Sequence, residues 1–190
     1  NPEGHIANGA HRLAAALYHQ RPINVRDTDS SENYHIECDY KFFAKRGLPK
    51  HILKRTALEY AKLKSNTHVI CLFPIAHTRI DEVMNIIKEY SNIFYRSSAL
   101  LNATGQLGLM KEIYLKDGWA NERGIQRKSD QCFMGNNKVT FVLVDAKNLE
   151  TVQKMKNKIR ALFNVGNHSV HINDTHQETV RISKTVFNDN

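Results

Sequence analysis

The chain has 190 residues, enough for one substantial hydrophobic core or for two small ones that share an interface. Hydrophobic residues make up 41% and charged residues 24%, which excludes disordered and collagen-like chains, and no apolar run approaches the roughly eighteen residues of a membrane-spanning helix. Against 27 Lys plus Arg stand 19 Asp plus Glu, a net charge of +8 that favours polyanionic partners such as nucleotides, nucleic acid or acidic lipid head groups.

The N-terminal NPEGHIANGA lacks the basic-then-apolar layout of a signal peptide. Cys38, Cys71 and Cys132 lie far apart without a C-x-x-C spacing, so the expectation is reduced thiols in a cytoplasmic setting and neither a disulfide framework nor a zinc ribbon. The loop-like opening, the missing initiator Met and an end in FNDN directly after a helical pattern suggest a piece of a longer protein.

In chain order, AHRLAAALYH at 10–19 is rich in good helix formers, and INVRD at 23–27 follows Pro22 as a short β-type run. DTDSSEN at 27–33 carries turn and cap residues, after which YHIECDYKFF alternates polar and apolar positions. Pro49 marks a first helical turn, with Ile52, Leu53, Ala57, Tyr60 and Ala61 on one face to about Leu63. HVICLFP at 68–74 suits a buried strand. Thr78 and Asp81 have capping-box spacing before a helix with Ile80, Val83, Ile87 and Tyr90 on one face.

The order then returns: a strand at 92–101, a helix at 105–116, a strand at 139–145 and a helix at 149–163. That last helix carries Val152, Met155, Ile159, Leu162 and Phe163 on one stripe, with Lys154, Lys158 and Arg160 away from it. HSVHI at 168–172 reads as a strand and 176–187 as a helix. Four strand-helix pairs in succession predict an α/β fold with a mainly parallel sheet and covering helices. Residues 117–138 interrupt the rhythm as a long polar segment, read as a lid or substrate loop in which Arg127 and Lys128 neutralise phosphate.

Residues 4–25, GHIANGAHRLAAALYHQRPINV, resemble the phosphate-binding segment of the ParB and sulfiredoxin-like superfamily through Gly9, His11, Arg12, Ala14 and Ala15, with INV as the following strand. The resemblance covers about one eighth of the chain and implies nucleotide binding, ATP or CTP, at Gly9, His11 and Arg12. It divides the sequence into an N-terminal segment, 1–47, as the remnant of such a domain, and an α/β domain, 48–190. Independently of the family, a glycine at a helix start beside an arginine fork suits phosphate oxygens.

The densest polar cluster is GNHSVHINDTHQE at 166–178. Thr175 and Glu178 fit a capping box, with Asp174 the alternative N-cap. On a strand, His168 and His171 fall on opposite faces, which counts against one shared metal. His171, Asp174 and His176 remain as candidates at a strand end that meets a helix start: the histidines as proton carriers, Asp174 as a Mg²⁺ ligand. Asp145, at the end of the VTFVLVD strand, is a second candidate carboxylate for a metal or a helix cap. His77 and Arg79, after the CLFP strand, are weaker candidates. No P-loop, full G-x-G-x-x-G or G-x-S-x-G occurs.

The expected function is a Mg²⁺-dependent, nucleotide-binding transferase of phosphoryl or nucleotidyl groups, its partner a nucleotide or another phosphorylated small molecule. The alternatives are a nucleic-acid-binding or regulatory ParB-like module, and a structural piece of a larger protein.

Overall fold

The computed structural model describes residues 9–25 and 40–188. The chain divides into two compact units, Asn1–Glu37 and Cys38–Asn190. In the first, α1 spans Ala10–Tyr18 and buries none of its residues. Ile23–Val25 form no strand, contrary to expectation, and Arg26 and Asp27 lie outside the described residues. A β-type sequence needs a ladder partner for its backbone groups. The described part of this unit contains no other strand, and Val25 is exposed.

The second unit opens with α2, Tyr40–Lys45, so the alternating pattern ends in a helix; Tyr34–Asp39 lie outside the described residues. There follow α3 (Lys50–Leu63), β1 (Thr67–Leu72), a 3₁₀ turn (Pro74–Arg79), α4 (Ile80–Tyr90) and β2 (Ser91–Leu100). The remainder is α5 (Ala103–Ile113), α6 (Glu122–Phe133), β3 (Lys138–Ala146), α7 (Leu149–Ala161), a 3₁₀ turn (Gly166–His168), β4 (Val170–Ile172) and α8 (His176–Val186).

The sheet order is β2-β3-β1-β4, and every neighbouring pair is antiparallel. The expected mainly parallel sheet is therefore corrected. Each strand-helix-strand connection passes over one strand position: β1–α4–β2 leaves the place that β3 fills, and β3–α7–β4 steps over β1. Strands joined by a helix run parallel to each other but never touch. This is the interleaved split β-α-β arrangement of ferredoxin-like folds, here with α5 and α6 inserted between β2 and β3.

Helices cover both faces of the sheet. One core joins α3, α5, α6 and α8 to Val69, Cys71, Phe73, Phe141 and Leu143; the other joins α4 and α7 to Ile70, Leu72, Val142 and Val144. The central strands β1 and β3 are consequently buried on both sides, which is why they read as continuous apolar runs. A bulge at Phe94 in β2, between the pairs Ile93↔Val144 and Tyr95↔Leu143, sends Phe94 to stack on Tyr60 at 3.7 Å and Tyr95 into the first core.

Three local expectations change. Residues 122–133 of the presumed loop form α6, capped by Asn121, whose side chain accepts from the Gly124 N–H at 2.9 Å. Its buried residues Ile125, Ser129, Cys132 and Phe133 recur at helical spacing beneath a polar composition. Thr78 does not cap α4: its hydroxyl donates back to Ile75 O at 2.8 Å, because α4 grows out of a 3₁₀ turn and has no separate N-cap geometry. His168 ends a 3₁₀ turn and lies outside the three-residue strand β4.

So short a strand is held by side chains beyond its ladder. Asn173 is buried; its Oδ1 accepts from the Val69 N–H at 2.7 Å, and its Nδ2 donates to Thr175 O at 2.8 Å and Thr179 Oγ1 at 2.7 Å. His68 Nδ1 donates to Asn173 O at 2.9 Å, and Thr179 Oγ1 donates to Thr67 O. Asn173→Ala leaves the buried Val69 N–H unpaired and is expected to destabilise the protein by about 2–3 kcal/mol. Urea unfolding checks this, with an exposed Lys184→Ala as the control that stays near zero.

Candidate functional site

His171 stands opposite Cys71 in the β1–β4 register, on the face covered by α3, α5, α6 and α8. Since β4 is the last strand of the sheet, its outer side borders a cleft rather than another strand. The cleft has a volume of about 500 Å³, within the range of small-molecule sites. α6 contributes Arg127 and Lys128, the end of α7 contributes Arg160, the 3₁₀ turn contributes His168, and the segment between α5 and α6 contributes Tyr114, Asp117 and Trp119.

The aromatic side is ordered by close packing. Tyr114 meets His171 edge-on at 5.4 Å between ring centroids and Trp119 at 4.8 Å. Trp119 Nε1 donates to Asp117 Oδ2 at 3.0 Å. At Gly124 a Cβ would run into the carbonyl oxygen of Trp119, so the close passage of this turn over α6 requires glycine there.

The opposite side is cationic. Arg127, Lys128 and Arg160 make no ion pair with a carboxylate among the described residues, and the Nε of Arg160 is buried without a hydrogen-bond partner. Lys128 Nζ sits 5.7 Å over the Tyr114 ring, and burial lowers its pKa. Burial likewise lowers that of Arg160. The one carboxylate lining the cleft, Asp117, is engaged by Trp119.

Between the two sides lies His171. Burial first, then the charge of Lys156 and, more weakly, of Arg160 and Lys128, hold its pKa down to about 3, against the upward pull of Asp174. Its imidazole is therefore neutral at physiological pH. Nε2 is enclosed without a partner, so chemistry in the cleft falls to Nδ1.

Of the candidate residues read from the sequence, His171, Arg127 and Lys128 come together here. Asp174 and His176 do not line the cleft. Asp174 is exposed and pairs with Lys156 at 2.8 Å; His176 Nε2 donates to Ala61 O at 2.8 Å, satisfying a carbonyl in the last turn of α3. Thr175 and Glu178 form the capping box of α8. Asp145 accepts from Asn66 Nδ2 and from Tyr60 OH at 3.2 Å and lies 3.5 Å from Lys64 Nζ. His77 Nε2 bonds Thr140 Oγ1 at 2.8 Å, and Arg79 pairs with Glu82.

Gly9, His11 and Arg12 belong to the first unit. Gly9 is the N-cap of α1 with φ 88°, a left-handed conformation that suits glycine, and the Arg12 guanidinium folds back to within 3.3 Å of where a Gly9 Cβ would stand.

Sequence reasoning missed Arg160, Tyr114 and Trp119 and set His168 aside. Arg160 lies off the apolar stripe of α7 and reads as a solvated charge; what sets it apart is its place at the end of α7, six residues before the 3₁₀ turn that leads to β4. Trp119 lies within the 117–138 segment that was read as a lid or substrate loop.

No family model matches the sequence, and no curated protein matches it. Among solved structures, an orthorhombic crystal form of the Aquifex aeolicus nucleoside diphosphate kinase is similar with a TM-score of 0.43 and 16% identity, over 60% of this chain and 89% of that one. The likeness is too distant to carry a conclusion about activity. No helix among the described residues is long and apolar enough to cross a membrane.

The half-buried His171 imidazole makes the protein acid-sensitive. In the unfolded chain His171 protonates near its ordinary value of 6.5, and in the folded protein only near 3. Between these values the unfolded state binds the extra proton, so stability falls as pH drops from 6.5 towards 3. Unfolding free energies at pH 7 and pH 4.5 should converge in His171→Phe relative to the unsubstituted protein.

Proposed function

We propose that the protein binds a nucleotide, or a similar phosphorylated aromatic molecule, in this cleft and transfers a phosphoryl group with His171 facing the reacting phosphorus. The observation that carries the reading is the convergence of Arg127, Lys128 and Arg160, none paired with a carboxylate among the described residues, on a neutral, half-buried histidine. Cations held in a concave, partly dry site without a counter-charge favour an anionic ligand, and arginine forks match phosphate oxygens.

Phosphoryl transfer asks for little beyond positioning and neutralisation of charge on the equatorial oxygens. The three cations supply the neutralisation. His171 supplies an unprotonated nitrogen: its Nδ1 lone pair attacks phosphorus, the bond to the leaving phosphate oxygen breaks, and that oxygen keeps the electron pair. A second acceptor then takes the group from the imidazole, as in other covalent routes. Tyr114 and Trp119 give an aromatic surface for a base.

No group of three His, Cys, Asp or Glu among the described residues has metal-binding geometry. The nearby carboxylates Asp174 and Asp145 are held by Lys156 and by Asn66, Tyr60 and Lys64. A Mg²⁺ ion fits this donor set only as a companion of the substrate's own phosphates, the mode in which that ion keeps most of its waters. The Gly9–Arg12 segment is a separate candidate for phosphate, resting on the family resemblance and on its helix-start geometry.

Thermal shifts with ATP and CTP, each with Mg²⁺, test the assignment. Arg160→Ala should weaken binding by about 10- to 100-fold, the cost of one charge-assisted contact, whereas Arg12→Ala should leave it unchanged. The reverse pattern would move nucleotide binding to the first unit. After incubation with ATP and Mg²⁺, an acid-labile phosphate on His171 by mass spectrometry is the expected sign of transfer; its absence under conditions of bound ATP sinks the covalent route.

A further inference from the structure

His168 plays no part in the mechanism above, yet it lines the same cleft, and its surroundings constrain which of its ring nitrogens carries hydrogen. Lys128 Nζ lies 3.2 Å from His168 Nδ1 and 3.1 Å from the carbonyl oxygen of Asn167. Cys132 Sγ lies 4.0 Å from the same Nδ1. A lysine ammonium has donors and no acceptor. The Cys132 thiol is fully buried, and burial pushes its pKa up to about 11, so it keeps its hydrogen and offers S–H, its sulfur being only a weak acceptor.

Two donors thus meet at one nitrogen. Nδ1 must present its lone pair, and in the neutral ring the hydrogen then sits on Nε2. Nε2 makes no hydrogen bond with any described residue. Both burial and the Lys128 charge lower the His168 pKa, which keeps the ring neutral.

The backbone enforces the arrangement. Asn164 and Gly166 both have positive φ, 51° and 60°, which turns the chain sharply after α7 and brings Asn167 O and His168 together over α6. Lys128 is anchored by that same turn and, at 5.7 Å, by the Tyr114 ring, so its position does not depend on a ligand.

We propose that His168 is a neutral donor to a phosphoryl oxygen through Nε2–H, held in that tautomer by Lys128 as a positioning residue. The inference rests on the phosphoryl-transfer reading of the cleft and adds a division of labour within it. His171 offers a lone pair; His168, three residues earlier, offers a hydrogen. Lys128 then acts on the ligand through an imidazole as well as by its charge. A preorganised donor of this kind matters most where charge develops on the phosphoryl oxygens.

Long-range ¹⁵N–¹H spectra of the histidine rings in the ligand-free protein read the tautomer directly. The expected result is hydrogen on Nε2 of His168, and a mixture of tautomers in Lys128→Met. Hydrogen on Nδ1 overturns the proposal. Addition of inorganic pyrophosphate and, separately, of ATP with Mg²⁺ should each shift the His168 Nε2 signal. His168→Ala should weaken binding of both by about tenfold, and His168→Gln, whose amide N–H can replace Nε2–H, should restore most of it.

Binding of pyrophosphate without ATP contradicts the nucleotide reading but leaves the His168 donor standing. Binding of both with no change at His168 overturns the donor while the nucleotide reading survives. Binding of neither defeats both, whatever the tautomer.

Discussion

The place of β4 at the sheet edge depends on one amide. A strand of three residues offers too few ladder bonds to fix its own position, and Asn173 continues the work by pairing with the backbone of β1 on one side and with the start of α8 on the other. His171 lies two residues before it and His168 five before it, on a segment that enters from a turn with two left-handed residues. Loosening this joint would let both imidazoles drift relative to α6, which carries Arg127 and Lys128. The cleft therefore exists because a buried polar residue, rather than further apolar packing, ends the strand.

The second consequence concerns charge. The two cores take up almost all apolar side chains of the central strands, and the cleft forms at the rim of the first core: at the border of the last strand, between α6 on one side and the end of α7 on the other. Burial lowers the pKa of Lys128 and Arg160, with the Arg160 charge adding to the effect at Lys128, and burial first, then the nearby cations, holds the His171 imidazole neutral. An anionic ligand would supply the counter-charge that these partly buried cations lack, which is the electrostatic basis of the proposed phosphate site.

Much of this was legible in the residues, and what was not has physical reasons. Buried strands at β1 and β3, the amphipathic α3, α4 and α7, and the Thr175–Glu178 capping box all follow from periodicity and cap chemistry. Direction was misread because the alternation of strands and helices reports only that two strands joined by a helix run parallel, and here an antiparallel strand lies between the members of each such pair. α6 was hidden because its buried stripe includes Ser129 and Cys132 and its outer face is wholly polar. In the cluster at 166–178, sequence distance suggested one site, but the chain turns at Asn173, so His171 faces the cleft while Asp174 pairs with Lys156 and His176 caps α3. Arg160 could not be separated from Lys154 and Lys158 by spacing alone; its distinction is burial at a junction of three elements.

The central claim is that phosphate binds beside His168 and His171. The protein has ten histidines, and their ring signals serve as reporters distributed along the chain. Titration with ATP and Mg²⁺ followed by ¹⁵N-edited NMR should move the signals of His168 and His171 in a saturable manner, with those of His77 and His176 unchanged. Saturable shifts at His11 without any at His168 or His171 would place the nucleotide in the first unit and contradict the account.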